Sequence, residues 1–596
     1  MVIIMILLLW VNSMEKIKQA VSFFADRFFE KIISAWLFAS AVMTLSGMGR
    51  IGLENTDFGA YTIVFLLCFL VDCCAEMVKK GISKFMLVFS VFVFSAVILM
   101  SSESIYTFIA LAVFFALAVH HYFKDKDGLH IVIPWKYASA GIAVFALLFF
   151  GGVTVVSVLR YTTYSAPNYD FGIFANMYYN MKNSLQPLVS CERDKILSHF
   201  AIHFSPALYV FLPVYYIFPS SATVAVCQTL AVYSAVIPFV LIMKHRKLPA
   251  VNVCMLAVMF VSFAAFLGGC LFDFHENCLL VPFLMWMFFF YEKNKLPLVF
   301  VFALLTLMVK EDAFIYVAIF ASYIIVADKK YIEGAILAVG AVLYFILACA
   351  YIENYGTGIM AYRYESLING DEGLFGIIKT MFANPAYVVT RIFNEKNDTA
   401  DKLIYFIELF APVAFIPFFT KKKARLILAL PVLLNLLTDY GYQYDITFQY
   451  SFGIGSLLMY LCVLNLSDTE KKHRDVSTVV AAGLAVMMFT MMFSPKFSTY
   501  VNRQIVNAEE YKAMDSVIEQ IPDDATVTAS TFLIAHLCER EEIYEIYYTQ
   551  QMSTDYLVLD VREGYREQSL ELAEKWIENG YVLTDMGNEY IQVYTK

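Results

Sequence analysis

Long apolar runs constrain this chain more than any other feature of its sequence. Residues 137–159 and 222–243 contain no charged side chain, and about 20 apolar residues in a helix match the hydrocarbon thickness of a bilayer. Hydrophobic residues make up 60% of the chain and charged residues only 16%, whereas about a quarter of a soluble protein is charged. The sequence therefore predicts an α-helical polytopic membrane protein with about 13 to 15 transmembrane helices.

The apolar segments form a series of candidate spans separated by polar loops. These spans are residues 31–49, 58–76, 85–100, 104–122, 137–158, 222–243, 250–270, 278–291, 296–309, 313–327, 332–352, 403–419, 426–438, 453–466 and 477–493. Residues 207–218 lie between Pro206 and Pro219, so we expect an additional short or re-entrant helix there.

Basic residues are distributed unevenly among the loops. Most of them lie in alternate loops, such as 421–425 and 471–474, while the short loops between hold only Arg50 and Lys310. Lys and Arg concentrate on the cytoplasmic side of membrane proteins. We therefore expect a multi-pass protein of the plasma membrane, with a cytoplasmic N-terminus and an extracytoplasmic C-terminal domain.

Composition changes along the chain and predicts four regions. The net charge of −9 is concentrated after Ser494, which indicates a solvated surface and gives no reason to expect a nucleic-acid partner. Met14 begins a charged segment and is a candidate for the true start. The predicted regions are a cytoplasmic segment at 1–30, a four-helix membrane module at 31–136, a membrane core at 137–493 with outer loops 160–221 and 353–402, and an extracytoplasmic α/β domain at 494–596.

The pattern after Ser494 alternates short strands with a helix, as in a small α/β domain. The predicted elements are strands at 526–530, 542–547 and 556–560, a helix at 567–579, and a hairpin at 581–594 that turns at Met586-Gly587-Asn588.

Asp170 lies in the first large outer loop, among Tyr164, Tyr169, Phe171 and Phe174. One interpretation is an aromatic belt at the membrane interface with an incidental acid. The functional interpretation is that a carboxyl group held among aromatic rings near a membrane has a raised proton affinity and can serve as a base. We predict Asp170 as the catalytic residue.

Two clusters combine histidines with carboxylates. His199 and His203 are four residues apart, a spacing that suits a metal ion weakly and substrate or phosphate contact by His203 better. Asp273, His275 and Glu276 adjoin the outer end of a span, where ionisable groups are costly unless paired, ligated or hydrated. A helix cap by Asp273 accounts for one of these acids, and a divalent metal such as Mg²⁺ or Mn²⁺ accounts for the whole cluster.

Lys310-Glu311-Asp312 interrupts an otherwise apolar stretch. One interpretation is a helical hairpin turn with self-paired charges. The other is that Lys310 binds a phosphate as a point charge, with Glu311 and Asp312 extending the acidic cluster. Arg363 and Arg160 are further candidates for phosphate binding.

Four motifs together resemble a known family of polytopic membrane proteins, the one called domain of unknown function 2079, which is placed in the GT-C glycosyltransferase superfamily. The motifs are Tyr169-Asp170-Phe171-Gly172-Ile173-Phe174, His203-Phe204-Ser205-Pro206, Phe274-His275-Glu276 and Val309-Lys310-Glu311-Asp312-Ala313. The resemblance covers roughly residues 137–596, so 31–122 looks like an added module. Where similar proteins often have a His-Tyr pair, this chain has Gln449-Tyr450.

The resemblance implies a GT-C-like membrane core and an activity. GT-C enzymes transfer a sugar from a polyprenyl-phosphate carrier outside the membrane, and a carboxylate in their first outer loop commonly acts as base or metal ligand. Asp170 holds the matching place. The implied partners are the lipid bilayer, a polyprenyl-phosphate-linked sugar donor and a glycan or protein acceptor of the cell envelope.

Two other functions are compatible with the sequence. A transporter or flippase of a lipid-linked substrate is one, although the charges lie at the predicted outer ends of the spans rather than near the midplane, where transporters bind their substrates. A non-catalytic envelope protein that binds glycans through its C-terminal domain is the other.

Overall fold

Most of the chain is described by the computed structural model, over residues 25, 27–47, 57–356, 358, 360–368, 373–393 and 399–596. The predicted start at Met14 and the loop residue Arg50 lie outside the described residues. Within these ranges, nine helices are long and apolar enough to cross a membrane. The prediction of a helical polytopic membrane protein is therefore confirmed.

The chain divides by its internal contacts into two units, which differ from the predicted regions. The first unit is Met1–Val132 with Thr469–Pro495, and the second is Ile133–Asp468 with Lys496–Lys596. The long helix Lys471–Val506 contributes residues to both.

The first unit contains four apolar helices that overlap the four predicted spans of the N-terminal module. They are Phe28–Leu45, Phe58–Val78, Ser83–Leu99 and Ile105–Phe123. Two of them begin at side-chain caps, where Asp57 accepts a hydrogen bond from the Ala60 N–H and Ser104 accepts one from the Thr107 N–H. Inside the unit the Ser83 hydroxyl donates to Oδ1 of the buried Asp72 carboxylate.

The second unit contains the remaining helices before the C-terminal sheet. Its α-helices are Trp135–Thr162, Ile173–Ser184, Leu212–Ile217, Ser221–Ser234, Val236–His245, Ala250–Val261, Ala264–Leu271, Leu280–Glu292, Leu296–Leu307, Phe314–Val326, Tyr331–Tyr355, Gly373–Ala383, Pro385–Phe393, Thr399–Phe410, Val432–Leu437 and Phe452–Ser467. Short 3-10 turns are His199–Ala201, Pro206–Val210, Glu276–Leu279, Glu311–Ala313, Ala361–Leu367, Ile416–Phe418, Lys423–Ala429, Gly441–Tyr444 and Gln449–Ser451, and Asn168–Gly172 is a π-helical turn.

The expected number of about 13 to 15 transmembrane helices needs a correction. Several predicted spans fall on helices shorter than 18 residues, such as Leu280–Glu292 and Phe314–Val326 with 13 residues each. A helix of that length rises only about 20 Å, less than the hydrocarbon thickness. The predicted short helix at 207–218 is a 3-10 turn followed by the six-residue helix Leu212–Ile217.

Proline explains why two of the predicted spans are wrong. The span at 403–419 is the helix Thr399–Phe410, which ends just before Pro412. The span at 426–438 is divided at Pro431 into a 3-10 turn and the short helix Val432–Leu437. Proline removes a backbone donor and clashes with the preceding turn, so apolar composition alone overestimates the helix length there.

The C-terminal residues fold into a five-stranded sheet, which confirms the predicted α/β region. The strands are β3 (Val527–Ala529), β4 (Ile543–Glu545), β5 (Tyr556–Asp560), β6 (Val582–Leu583) and β7 (Ile591–Thr595), while β1 (Leu188–Val189) and β2 (Leu197–Ser198) form a separate hairpin in the first large loop. The order is β4-β3-β5-β7-β6, with β3 parallel to β4 and β5 and with β7 antiparallel to its neighbours. The helices of this region are Ala508–Ile518, Thr531–Leu537 and Arg566–Glu578.

Hydrogen bonds join this sheet region to the loop that carries Asp170. The Ser190 hydroxyl donates to the Ile543 carbonyl and accepts from the Ile543 N–H, both at 2.8 Å. The Asn168 amide donates to Glu545 Oε2 at 2.8 Å, and the Asn176 amide donates to two carbonyls that follow the helix Thr531–Leu537. The C-terminal region therefore packs against the loop that carries Asp170 and is not an independent domain.

Candidate active site

One cavity of about 560 Å³ gathers residues that are far apart in the sequence. Five of the predicted site residues line it: Asp170, His203, His275, Lys310 and Arg363. The other five, which are Arg160, Asp273, Glu276, Glu311 and Asp312, lie outside its lining. The membrane core therefore brings the predicted polar clusters together. Half of their residues line the cavity, and the other half do not.

Asp170 is held by a π-helical turn, Asn168–Gly172, just before the helix Ile173–Ser184. A Cβ atom on Gly172 would come within 2.7 Å of Asn168 Oδ1 and 2.8 Å of an Ile534 methyl group, so the close packing of this turn requires glycine. Such turns often occur at functional sites, because they redirect one side chain out of the helical pattern.

The Asp170 carboxylate itself has no fixed partner. Within the described part of the chain it accepts no hydrogen bond and forms no ion pair. Burial raises the pKa of Asp170 well above its usual value, and the nearby carboxylates of Asp273 and Glu276 raise it further. The result is a carboxyl group that faces the cavity and takes up a proton more readily than an ordinary aspartate.

Arg160, near the end of the helix Trp135–Thr162, forms a buried ion pair with Asp273, which follows the helix Ala264–Leu271. Asp273 is fully buried, and the Arg160 guanidinium also lies 5.2 Å from the centre of the Phe272 ring. The charge of Arg160 is thereby neutralised outside the cavity lining. The role of Arg160 in phosphate binding stays a prediction. In the structure its guanidinium forms an ion pair with Asp273.

Lys310 lines the cavity with most of its side chain buried and 3% of its surface exposed. Its Nζ lies 3.3 Å from Glu276 Oε1, and the other Glu276 oxygen lies 3.2 Å from His275 Nδ1. Burial alone would lower the pKa of Lys310, but Glu276, Asp312 and Glu311 raise it above its usual value. Lys310 therefore carries a permanent positive charge into the cavity.

Glu311 positions His203. Its carboxylate lies 2.9 Å from His203 Nδ1 and accepts a hydrogen bond from the Phe204 N–H at 3.1 Å. Burial lowers the pKa of both His203 and His275 well below the usual value, and Lys310 lowers it further, so both rings are neutral at pH 7. Asp312, the next residue, is exposed and does not line the cavity.

Arg363 is another cation of the cavity and comes from the 3-10 turn Ala361–Leu367. Its guanidinium carbon lies 4.5 Å from the centre of the Tyr440 ring and 5.6 Å from that of Tyr450. Its Nε is buried and has no hydrogen-bond acceptor among the described residues. The aromatic rings thus orient a guanidinium whose hydrogen-bonding capacity is not used up by the protein.

The sequence analysis missed Glu192, which lines the cavity and lies 2.9 Å from His199 Nδ1. Burial alone would lower the pKa of His199, but the Glu192 carboxylate raises it above its usual value. His199 is 2% exposed, and its Nε2 has no partner among the described residues. In the sequence, Glu192 is one of three consecutive charged residues after Cys191. Nothing in the sequence distinguishes it from Arg193 and Asp194.

Aromatic side chains form much of the cavity wall. Besides residues already described, the lining includes Tyr169, Phe174, Phe272, Tyr362, Tyr442, Phe448 and Tyr548. Within the described ranges, no group of three His, Cys, Asp or Glu side chains is arranged to hold a metal ion. The predicted dependence on Mg²⁺ or Mn²⁺ stays a prediction.

The fold and this cavity define a class of protein: a helical polytopic membrane protein in which a charged, aromatic-walled cavity adjoins a small α/β region. The model of the family described as predicted membrane protein (DUF2079) matches residues 160–590. The chain therefore belongs to that family, and the resemblance inferred from the motifs is confirmed.

Two further comparisons were made, with solved structures and with curated proteins. A crystal structure of ArnT from Cupriavidus metallidurans bound to undecaprenyl phosphate is similar to it, with 11% sequence identity and a TM-score of 0.43, over 76% of this chain and 97% of that one. None of the curated proteins matches the chain.

Proposed function

We propose that this protein transfers a sugar from a polyprenyl-phosphate donor to an acceptor of the cell envelope, with inversion at the anomeric carbon. One observation carries the proposal: the Asp170 carboxylate, without a fixed partner, and the cations Lys310 and Arg363 line the same aromatic-walled cavity. A transferase of this kind needs a base for the acceptor hydroxyl and positive charge for the departing phosphate.

Lys310 and Arg363 are the groups proposed to hold the donor phosphate. Lysine contributes a point charge, and the free Nε–H of Arg363 contributes a directed donor. The tyrosine and phenylalanine rings of the wall offer flat apolar faces to the sugar ring and to the first isoprene units of the carrier. His203 and His275, both neutral, are proposed to donate or accept hydrogen bonds with sugar hydroxyls.

In the proposed reaction, Asp170 accepts the proton of an acceptor hydroxyl as the hydroxyl oxygen attacks the anomeric carbon. The new C–O bond forms on the face opposite the bond to the phosphate. The electron pair of the breaking bond leaves with the phosphate oxygen, which gains one negative charge. Lys310 and Arg363 stabilise that charge, and the products are a glycosidic bond and a free polyprenyl phosphate.

The site is proposed to face the outside of the plasma membrane, because the loop charges predict the N-terminus inside and the sheet region outside. A GT-C-like membrane core is part of the same proposal. Neither a metal ion nor a transport step enters the mechanism.

The test is turnover by the purified protein in nanodiscs with a panel of polyprenyl-phosphate sugars and an envelope glycan extract, followed by mass spectrometry. The wild type should release free polyprenyl phosphate from one donor. Asp170→Asn should reduce this release by about a thousandfold or more, because the base is lost while the side-chain volume is kept. The same thermal unfolding midpoint in both proteins shows that the variant is folded. Turnover by Asp170→Asn at the wild-type rate would overturn the proposal.

A further inference from the structure

A second pocket of about 420 Å³ adjoins the cavity, between the loop that carries Asp170 and the C-terminal sheet. It is called the loop–sheet pocket here and is lined by residues 168–169, 173, 191–194, 544–545 and 548–549. Five of its lining residues also line the cavity, namely Tyr169, Ile173, Glu192, Arg193 and Tyr548. A ligand in the pocket would therefore lie against the same wall as a ligand in the cavity.

The sheet presents the end of its parallel strands to this pocket. Strands β3 and β4 are parallel, and Glu545 is the last residue of β4. Open α/β sheets bind ligands just beyond the carboxyl ends of their parallel strands, where the strands stop and their loops diverge. The loop–sheet pocket is at that position.

The pocket contains hydrogen-bond acceptors that the protein leaves unused. Glu545 is 3% exposed; its Oε2 accepts from the Asn168 amide, while its Oε1 is buried without a hydrogen-bond partner among the described residues. In the same part of the chain Asp194 Oδ1 is also buried without a partner, although Asp194 Oδ2 accepts from the Gln550 N–H. Buried acceptors without donors are costly, so a ligand rich in O–H or N–H groups would stabilise this arrangement.

Charge separates the two compartments. The lining of the loop–sheet pocket contains the carboxylates of Glu192, Asp194 and Glu545 but only one cation, Arg193. The lining of the cavity adds Lys310 and Arg363. An anionic ligand is favoured in the cavity and disfavoured in the pocket.

Two exposed tyrosines stand between the compartments. Tyr169 and Tyr548 are 56% and 60% exposed, and their ring centres lie 6.5 Å apart in an edge-on arrangement. Exposed rings of this kind provide flat faces on which a sugar ring can stack. Asp170, the proposed base, directly follows Tyr169 in the chain and lines the cavity.

We propose that the loop–sheet pocket binds the sugar acceptor, and that this acceptor is a hydroxyl-rich glycan without acidic groups. The assignment of the bound glycan as the acceptor rests on the proposed function. The pocket aligns a glycan hydroxyl with Asp170 while the phosphate of the donor stays at the cationic end of the cavity. The C-terminal sheet is thus part of the binding machinery rather than a separate accessory domain.

The experiment measures binding of fluorescently labelled nanodiscs containing the full-length protein to an array of neutral, amino-bearing and acidic glycans. Glu545→Gln and Tyr548→Ala are compared with Glu541→Gln, an exposed residue just before β4, and with Tyr590→Ala, which lies outside both pockets. A second arm measures binding of polyprenyl phosphate by native mass spectrometry. Thermal unfolding identifies any variant that fails to fold, and the pair of pocket variants leaves a second test if one does.

The expected result is that the wild type binds neutral or amino-bearing glycans. The two pocket variants should lose about tenfold or more in glycan affinity, while the two controls and polyprenyl-phosphate binding change by less than about twofold. Binding of no glycan, binding of acidic glycans only, or wild-type affinity in both pocket variants would overturn the inference. Loss of glycan binding in these variants together with no polyprenyl-phosphate binding by the wild type would support the glycan pocket and overturn the proposed function.

Discussion

Two buried charged clusters in the second unit illustrate the difference between a structural and a functional arrangement. Around Arg425, the guanidinium donates to the Leu464 carbonyl at 2.8 Å and to Asp468 at 2.6 Å, and it does not line the cavity. Around the cavity, Arg363 Nε and His199 Nε2 have no partners among the described residues. Both clusters place charge inside a membrane protein, but only the second leaves hydrogen-bonding capacity for a ligand.

Burial of a charge does not by itself indicate a ligand-binding site. Buried ionic groups are stable when every donor and acceptor is satisfied, as around Arg425. A buried polar group without a hydrogen-bond partner costs stability. Beside a cavity, this cost is explained if a bound ligand supplies the missing hydrogen bond. Four predictions test this distinction.

The largest effect is expected for Arg363→Gln, which removes a cation from the cavity without removing a protein ion pair. We expect kcat for sugar transfer to fall about 100-fold, because one group that stabilises the leaving phosphate is lost. Single-turnover release of polyprenyl phosphate measures this. A drop in donor affinity alone, with kcat unchanged, would show that Arg363 binds the ground state and does not assist departure.

A smaller effect is expected for Glu311→Gln, because Glu311 acts through His203 and not on the substrate. We expect kcat to fall about tenfold as the imidazole loses its fixed orientation. Asp312→Asn is the matched comparison, since it also removes a negative charge near Lys310 but removes no partner of His203. Equal losses in the two variants would remove the distinction between these neighbouring carboxylates.

The pH dependence of turnover is expected to report the raised pKa of Asp170. Because burial and the carboxylates of Asp273 and Glu276 raise the pKa of Asp170, the base becomes protonated at a higher pH than an ordinary aspartate. The rate should therefore fall as the pH is lowered through this raised pKa and be full above it. Glu276→Gln removes one negative charge and should move the acid limb of kcat/KM to lower pH. An acid limb near pH 4, as for an unperturbed carboxyl, would contradict the assigned base.

The smallest effect on turnover is expected for Arg425→Gln, although this variant should lose the most stability. Loss of the ion pair should cost about 2 kcal/mol, less than for a fully buried pair because Asp468 is 35% exposed. Thermal unfolding in detergent measures the loss, and turnover per folded molecule should equal that of the wild type. A reduced kcat in the folded fraction would place this cluster within the catalytic machinery.

The sequence was informative where a charge interrupts an apolar background. Lys310 was identified in this way and Asp170 by the aromatic residues around it, and both line the cavity. Glu192 was missed because it lies in a polar loop, where a functional charge has the same appearance as a solvated one. The pairing of Arg160 with Asp273 joins residues 113 positions apart, so only the packing of the helices could reveal it.

For the fold, too, the local sequence predicts where strands lie but not which strands pair. The strands β3 and β5 follow from their runs of apolar and β-branched residues, and the predicted positions hold. Their parallel pairing with β4, and the docking of the sheet on the Asp170 loop, depend on contacts between distant segments that no local pattern contains. The short helices near Pro412 and Pro431 differ from this, because the prolines that limit them are visible in the sequence, although apolar composition favoured full spans.

The most direct test of the contrast between satisfied and unsatisfied charge is native mass spectrometry of polyprenyl-phosphate binding to the wild type, Arg363→Gln and Arg425→Gln. The proposed site predicts one tightly bound lipid phosphate on the wild type and on folded Arg425→Gln, and loss of that lipid from Arg363→Gln. Equal occupancy in all three proteins, or equal loss from both variants, would contradict the assignment of the cavity as the phosphate site.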